Sequence, residues 1–230
     1  PIAIALLTLT TAPVLTSCAA LKPHIAKALP HIKEAIQDID VEGLAKEHAC
    51  GVYISKGRDS AEAIFANEWP IFEPLFKTPS NAHADLEWCL GSSEAMGVKV
   101  VNKPVDRSST AVCGLVAFGS DFDSRPIEYQ ASTCGHELVH LLGQQRMGCK
   151  EWLIDYAHVS GRLAAEGTAY ALSDALLARY GVPAKDIEAG AKARAKRFPA
   201  NYKLSRVLDS ECVEGYFPAI RRALGERAGV

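Results

Sequence analysis

Apolar residues recur at helical spacing over residues 21–50, where Ile32, Ala35, Ile36 and Ile39 share a face and Pro23 and Pro30 suit first-turn positions. A second helix is expected over 59–65, begun by Asp59 or Ser60. Pro70, Pro74 and Pro79 then predict a stretch broken into short pieces. Residues 84–96 read as a short helix ended by Gly97. Two strands are expected next, 98–102 and 111–118, the second carrying Val112, Leu115, Val116 and Phe118, with a polar turn over 103–109 between them. Residues 119–126 form a loop, and its Asp121 and Asp123 lack the rest of a calcium-loop spacing. Helical periodicity resumes over 127–142, with Gly143 or Gly148 near its end. It returns over 150–180, stopped by Gly181 and Pro183, and again over 186–198, where Lys192, Arg194, Lys196 and Arg197 read as a solvated face. The fold class expected is α+β, mostly helical, with a small sheet whose last strand precedes the helix over 127–142.

A chain of 230 residues with 48% hydrophobic content can fill one core, so residues 18–230 are read as a single domain. A formal charge of −2 provides no field for nucleic acid, and that class of partner is excluded.

Residues 1–17 carry no charged side chain and read as a signal peptide. Leu15-Thr16-Ser17-Cys18 resembles the lipobox of bacterial lipoproteins, which implies export, lipidation at Cys18 and anchoring to a membrane of the cell envelope. Of the seven cysteines, six remain when Cys18 is set aside: Cys50, Cys89, Cys113, Cys134, Cys149 and Cys212. Six can form three disulfides in an oxidising compartment, and no metal-finger spacing competes for them.

The candidate chemistry lies in His136-Glu137-Leu138-Val139-His140. On a helix, residues four apart share a face with Cβ atoms roughly 5–6 Å apart, so both imidazoles reach one ion at roughly 2.0–2.1 Å. Glu137 stands beside that face, placed to take a proton from a water the metal activates. A catalytic zinc needs a third protein ligand. The following helix offers Asp155, His158, Glu166 and Asp174. Glu166 stands out because its neighbours Ala164, Ala165, Gly167 and Ala169 are small and allow two helices to approach closely. Asp155 is a candidate acceptor for a ligand histidine, or else a charge on the helix surface. His24, His31, His48 and His83 show no ligand spacing.

With these residues in view, the segment over 130–180 resembles the gluzincin class of zinc metallopeptidases, in which a downstream glutamate completes a His-Glu-x-x-His site. Glu166-Gly167-Thr168-Ala169 is similar to the glutamate-glycine-x-alanine context of that class, and Gln144, Gln145, Arg146, Gly148, Trp152, Leu153, Tyr156 and Tyr170 resemble small bacterial proteins of this type. The resemblance implies a zincin-like domain, Zn²⁺ held by His136, His140 and Glu166, and a peptide or protein substrate cut with Glu137 as general base. Tyr170, one turn beyond Glu166, is expected to donate to the developing oxyanion, or else to pack between helices. By the same analogy an extended substrate lies along a sheet edge, with 111–118 the expected strand. The alternative function is an envelope lipoprotein whose zinc site is structural or inactive.

Overall fold

The computed structural model describes residues 50–202, 204, 208 and 210–228; the signal segment, Cys18 and the helix expected over 21–50 lie outside them, apart from Cys50. The order of elements is α1 (Cys50–Lys77), α2 (Ala82–Ala95), β1 (Lys99–Asn102), β2 (Thr110–Val112), β3 (Leu115–Phe118), a short 3₁₀ turn (Phe122–Ser124), α3 (Ile127–Met147), α4 (Cys149–Ala157), α5 (Val159–Arg179), α6 (Ala184–Asn201) and α7 (Ser210–Ala228). The molecule is mostly helical with one small sheet, an α+β architecture.

Helix α1 is far longer than the seven residues expected, and Pro70 and Pro74 lie inside it. A proline in a helix interior costs roughly 3 kcal/mol by removing a hydrogen bond and crowding the preceding turn. Both prolines sit on the exposed face, while Tyr53, Ala61, Phe65, Glu68, Phe72 and Leu75 form a buried stripe on the other. Packing of that stripe outweighs the local cost.

The strand expected over 111–118 is two strands. Cys113 and Gly114 take φ of 44° and 83°, the left-handed geometry of a two-residue hairpin turn. Strand β2 pairs antiparallel with β3, β1 pairs parallel with β3, and the sheet order is β1-β3-β2. Every residue of the central strand β3 is buried, whereas β2 is an edge. The aspartates of the following loop are engaged within the chain: Asp121 pairs with Arg125 at 2.7 Å, and Asp123 accepts from Asn102 at 2.6 Å.

The helix expected over 150–180 is also two. It breaks at His158, whose extended backbone (φ −72°, ψ 147°) turns α4 into α5. Helix α5 is the hub of the fold, with 16 of its 21 residues buried, and it packs against α1, α3, α4, α6 and α7. Small side chains from Ala164 to Ala171 permit this close approach. No element is expected from the sequence over 203–230, yet α7 lies there and buries Val213, Tyr216, Phe217, Ile220 and Leu224 at helical spacing against the hub. No helix among the described residues is long and apolar enough to cross a membrane.

Two disulfides pin the neighbourhood of α3. Cys89–Cys134 joins α2 to α3, and Cys113–Cys149 joins the hairpin turn to the start of α4. Cys134 therefore staples the helix that carries the His-Glu-x-x-His motif to α2, while Cys149 ties the hairpin turn to the helix that follows it. The side chains of Cys50 and Cys212 fall outside the described residues.

Candidate metal centre

Helices α3 and α5 face each other across the small side chains of α5, and this brings three donors together. His136 Nε2 and His140 Nε2 lie 3.2 Å apart. Glu166 places Oε2 at 3.5 Å from His136 Nε2 and Oε1 at 3.6 Å from His140 Nε2. Donors about 2.0–2.1 Å from one tetrahedral ion stand roughly 3.3 Å from each other. The residues present therefore fit a metal ion, with one ligand atom from each lying within 4.8 Å of the others. Glu166 Oε2 is buried with no hydrogen-bond partner, which is costly unless a cation or donor meets it.

Of the other third-ligand candidates, none joins this group. Asp174 is bound to Arg194 through both its oxygens, at 2.5 and 2.6 Å. His158 occupies the α4–α5 break. Asp155 lines a cavity of about 170 Å³ beside His140, but His140 Nδ1 is buried and has no hydrogen-bond partner, so Asp155 does not accept from it and stands as an exposed charge on α4. His83 is exposed.

The electrostatics are set by burial. Glu166 is 3% exposed. Burial pushes its carboxyl upward, yet the histidines and the Tyr156 hydroxyl outweigh this and hold it at about 2, so it is an anion. His140 is pushed down to about 4 by burial, against the pull of Glu166, and is neutral as a ligand must be. Burial opposes charge on His136 too, but there the Glu166 carboxylate prevails and raises it. Glu137 is 4% exposed. Desolvation raises it to about 7, while His136, Lys103 and a hydrogen bond from the Ala111 backbone N–H pull the other way and the Glu166 charge adds to the rise. A carboxylate poised near neutrality is suited to accept and return a proton.

An aromatic wall surrounds the donors. Tyr156 donates to Glu166 Oε1 at 2.6 Å and stacks on Trp152 at 4.7 Å. Trp152 also lies edge-on to His140, with centroids 5.8 Å apart. Gly143 makes room for it, since a Cβ there would stand 2.9 Å from Trp152 Nε1. Tyr170 has its ring 4.6 Å from that of His136. Burial, then the Glu166 charge, raises its hydroxyl far above the usual range, which keeps it a donor. The Tyr202 hydroxyl interacts with Glu166, Tyr156 and Tyr170. Arg162 clamps this cluster by donating to the carbonyls of Tyr156 at 3.0 Å and Tyr202 at 3.3 Å.

His136, Glu137, His140, Glu166 and Tyr170 thus come together where the sequence puts them. Sequence reasoning gives no role to Tyr156, Tyr202, Arg162 or the Ala111 backbone. It also puts Arg194 on a solvated face, whereas the guanidinium turns inward, over the Tyr170 ring at 4.8 Å; Lys192, Lys196 and Arg197 are exposed as expected. The available signal for that inward turn is spacing, because Arg194 stands four residues before the buried Phe198 and so shares its helix face. No family model matches the chain, and comparison with curated proteins and with solved structures finds no match.

Proposed function

We propose that this protein is a zinc-dependent metallopeptidase of gluzincin type, zincin-like in fold and anchored to the bacterial cell envelope through Cys18. The observation that carries the reading is the spacing of His136, His140 and Glu166, 3.2 to 3.6 Å between donors, with Glu137 adjoining them. Zinc at these three ligands supplies an acidified water and polarises a substrate carbonyl. Glu137 takes the proton from the attacking water and hands it to the leaving amine, the two roles that its position near neutrality suits. Tyr170, protonated and beside His136, donates to the carbonyl oxygen as charge builds on it. Tyr156 holds Oε1 of Glu166, which also faces His140, and Oε2 is turned toward His136.

Metal analysis of the purified chain, with peptide hydrolysis compared between wild type and Glu137→Gln, tests the proposal. Stoichiometric zinc is expected in both, and hydrolysis slower in the variant by about 10²–10⁴-fold. Zinc in neither protein removes the site. Burial of Glu137, His140 and Glu166 favours a second reading, an envelope binding or structural lipoprotein whose metal serves stability. Bound zinc without peptide hydrolysis by the wild type supports that one.

A further inference from the structure

Strand β2 is one edge of the sheet, and an edge strand offers unpaired N–H and C=O groups to any extended chain that reaches it. Here two of those groups are already taken. Gln144 Nε2 donates to the Ala111 carbonyl at 3.0 Å, and Gln144 Oε1 accepts from the Cys113 N–H at 2.7 Å. The remaining Ala111 N–H is turned toward the Glu137 carboxyl. In a parallel pair, one residue donates to a carbonyl of its neighbour strand and accepts from the N–H two residues further on. The Gln144 amide makes the same two bonds, from Ala111 to Cys113, with a single side chain.

We propose that Gln144 is a strand mimic that caps this edge, and that an extended peptide engages β2 by displacing it. Gln144 lies seven residues after Glu137 on α3, so a main chain paired at Ala111 also lies beside the general base. The displaced amide has somewhere to go: a cavity of about 220 Å³ is lined by Gln144 together with Met96, Val98, Gly114, Leu141 and Gln145. Removing the side chain frees two backbone groups without touching His136, His140, Glu166 or Glu137. The substrate recovers both bonds, so Gln144 sets how tightly extended chains bind and has no part in the chemical step. The idea deepens the peptidase reading by naming the conformation of its substrate.

The test measures binding without turnover. A fluorescent, proline-free decapeptide and its counterpart with alternate amides N-methylated are titrated by anisotropy against zinc-loaded Glu137→Gln protein, with and without Gln144→Ala. Two neutral hydrogen bonds gained by the ligand predict binding about tenfold tighter to the protein lacking Gln144, and no gain for the methylated peptide, which cannot pair with a strand edge. Equal or weaker binding after the substitution, the same gain for both peptides, or no binding by either protein overturns the proposal. Gln144→Met, of similar length but without the amide, decides the matter if the alanine variant does not fold. Cleavage by protein retaining Glu137 is assayed separately. A peptide that binds as expected but is never cut removes the peptidase reading and leaves the cap; one that is cut without tighter binding removes the cap alone.

Discussion

Tyr156 donates its hydroxyl to Glu166 Oε1 at 2.6 Å, and this bond makes the two oxygens of one carboxylate unlike. Oε1 is held by the phenol, whereas Oε2 is buried without a hydrogen-bond partner. Groups that orient a metal ligand in this way typically change metal affinity by about 10–100-fold when removed. Tyr156→Phe is therefore expected to weaken zinc binding within that range, with the fold intact because the ring still stacks on Trp152. Competition against a chelator of known affinity measures the change. An unaltered zinc affinity means that packing alone holds Glu166.

Glu137 predicts a pH dependence for the metal-free protein. Its carboxyl stands at about 7 in the fold against an ordinary value of 4.5. A group whose pKa is raised by folding favours the folded state when protonated. Its stabilisation is complete below the ordinary value and is lost as the pH rises through about 7. The loss amounts to about 3 kcal/mol at most. Urea unfolding at pH 5 and pH 8 is expected to show wild type losing stability relative to Glu137→Gln over that interval. A stability difference that stays constant between the two pH values contradicts the shift.

Arg194 and Asp174 join α6 to α5 through two short bonds, and Asp174 is 3% exposed. Removing one partner of such a pair strands a buried charge and costs about 3–5 kcal/mol, while removing both costs less. Arg194 retains some exposure to water, which places Arg194→Met toward the lower end. The double change with Asp174→Asn is expected to recover part of that loss. Thermal or chemical unfolding of the single and double variants completes the cycle, and strictly additive effects would show that the pair is not coupled.

The disulfide Cys113–Cys149 closes a sequence separation of 36 residues and holds the hairpin turn against α4. Replacing both cysteines by serine is expected to lower stability by about 2–4 kcal/mol. Zinc affinity should hardly change, because the three ligands lie on α3 and α5. Hydrolysis should fall, since the hairpin carries the Ala111 N–H that contacts Glu137. Parallel measurements of unfolding, zinc binding and rate separate these effects, and a loss of zinc in proportion to activity counts against the assignment.

What the sequence makes legible here is local. His136 and His140 are four residues apart on one helix, so their convergence follows from helical geometry before any tertiary contact is known. Glu166 is legible because small neighbours mark the place where α3 and α5 can meet. Tyr202 and Ala111 lie 36 residues after and 55 residues before Glu166 in the numbering, and only the packing of α6 and the sheet brings them in. The Cys113-Gly114 turn hides inside an apolar run that reads equally well as one strand. Helix α1 runs through its prolines because a buried stripe on the opposite face decides the matter, and no local rule weighs that. The break at His158 has no proline to announce it, and its one local mark is Gly161, where a Cβ would collide with the Asp155 carbonyl. Helix α7 is different: its apolar spacing from Val213 to Leu224 is open to a reading by periodicity alone.

The three-residue strand β2 also bears on which changes of chain length this protein tolerates. The side chains and bonding groups of a strand alternate with a period of two, so a shift of one residue against β3 would turn the Ala111 N–H away from Glu137 and its carbonyl away from Gln144. Insertions among the polar residues over 103–109 leave that phase untouched. A single residue added between Cys113 and Leu115 changes it, and with it the surroundings of the base. Length variation on the two sides of β2 is thus unequal: a change in the loop before it leaves the phase of the strand alone, while the turn after it is bound to two residues.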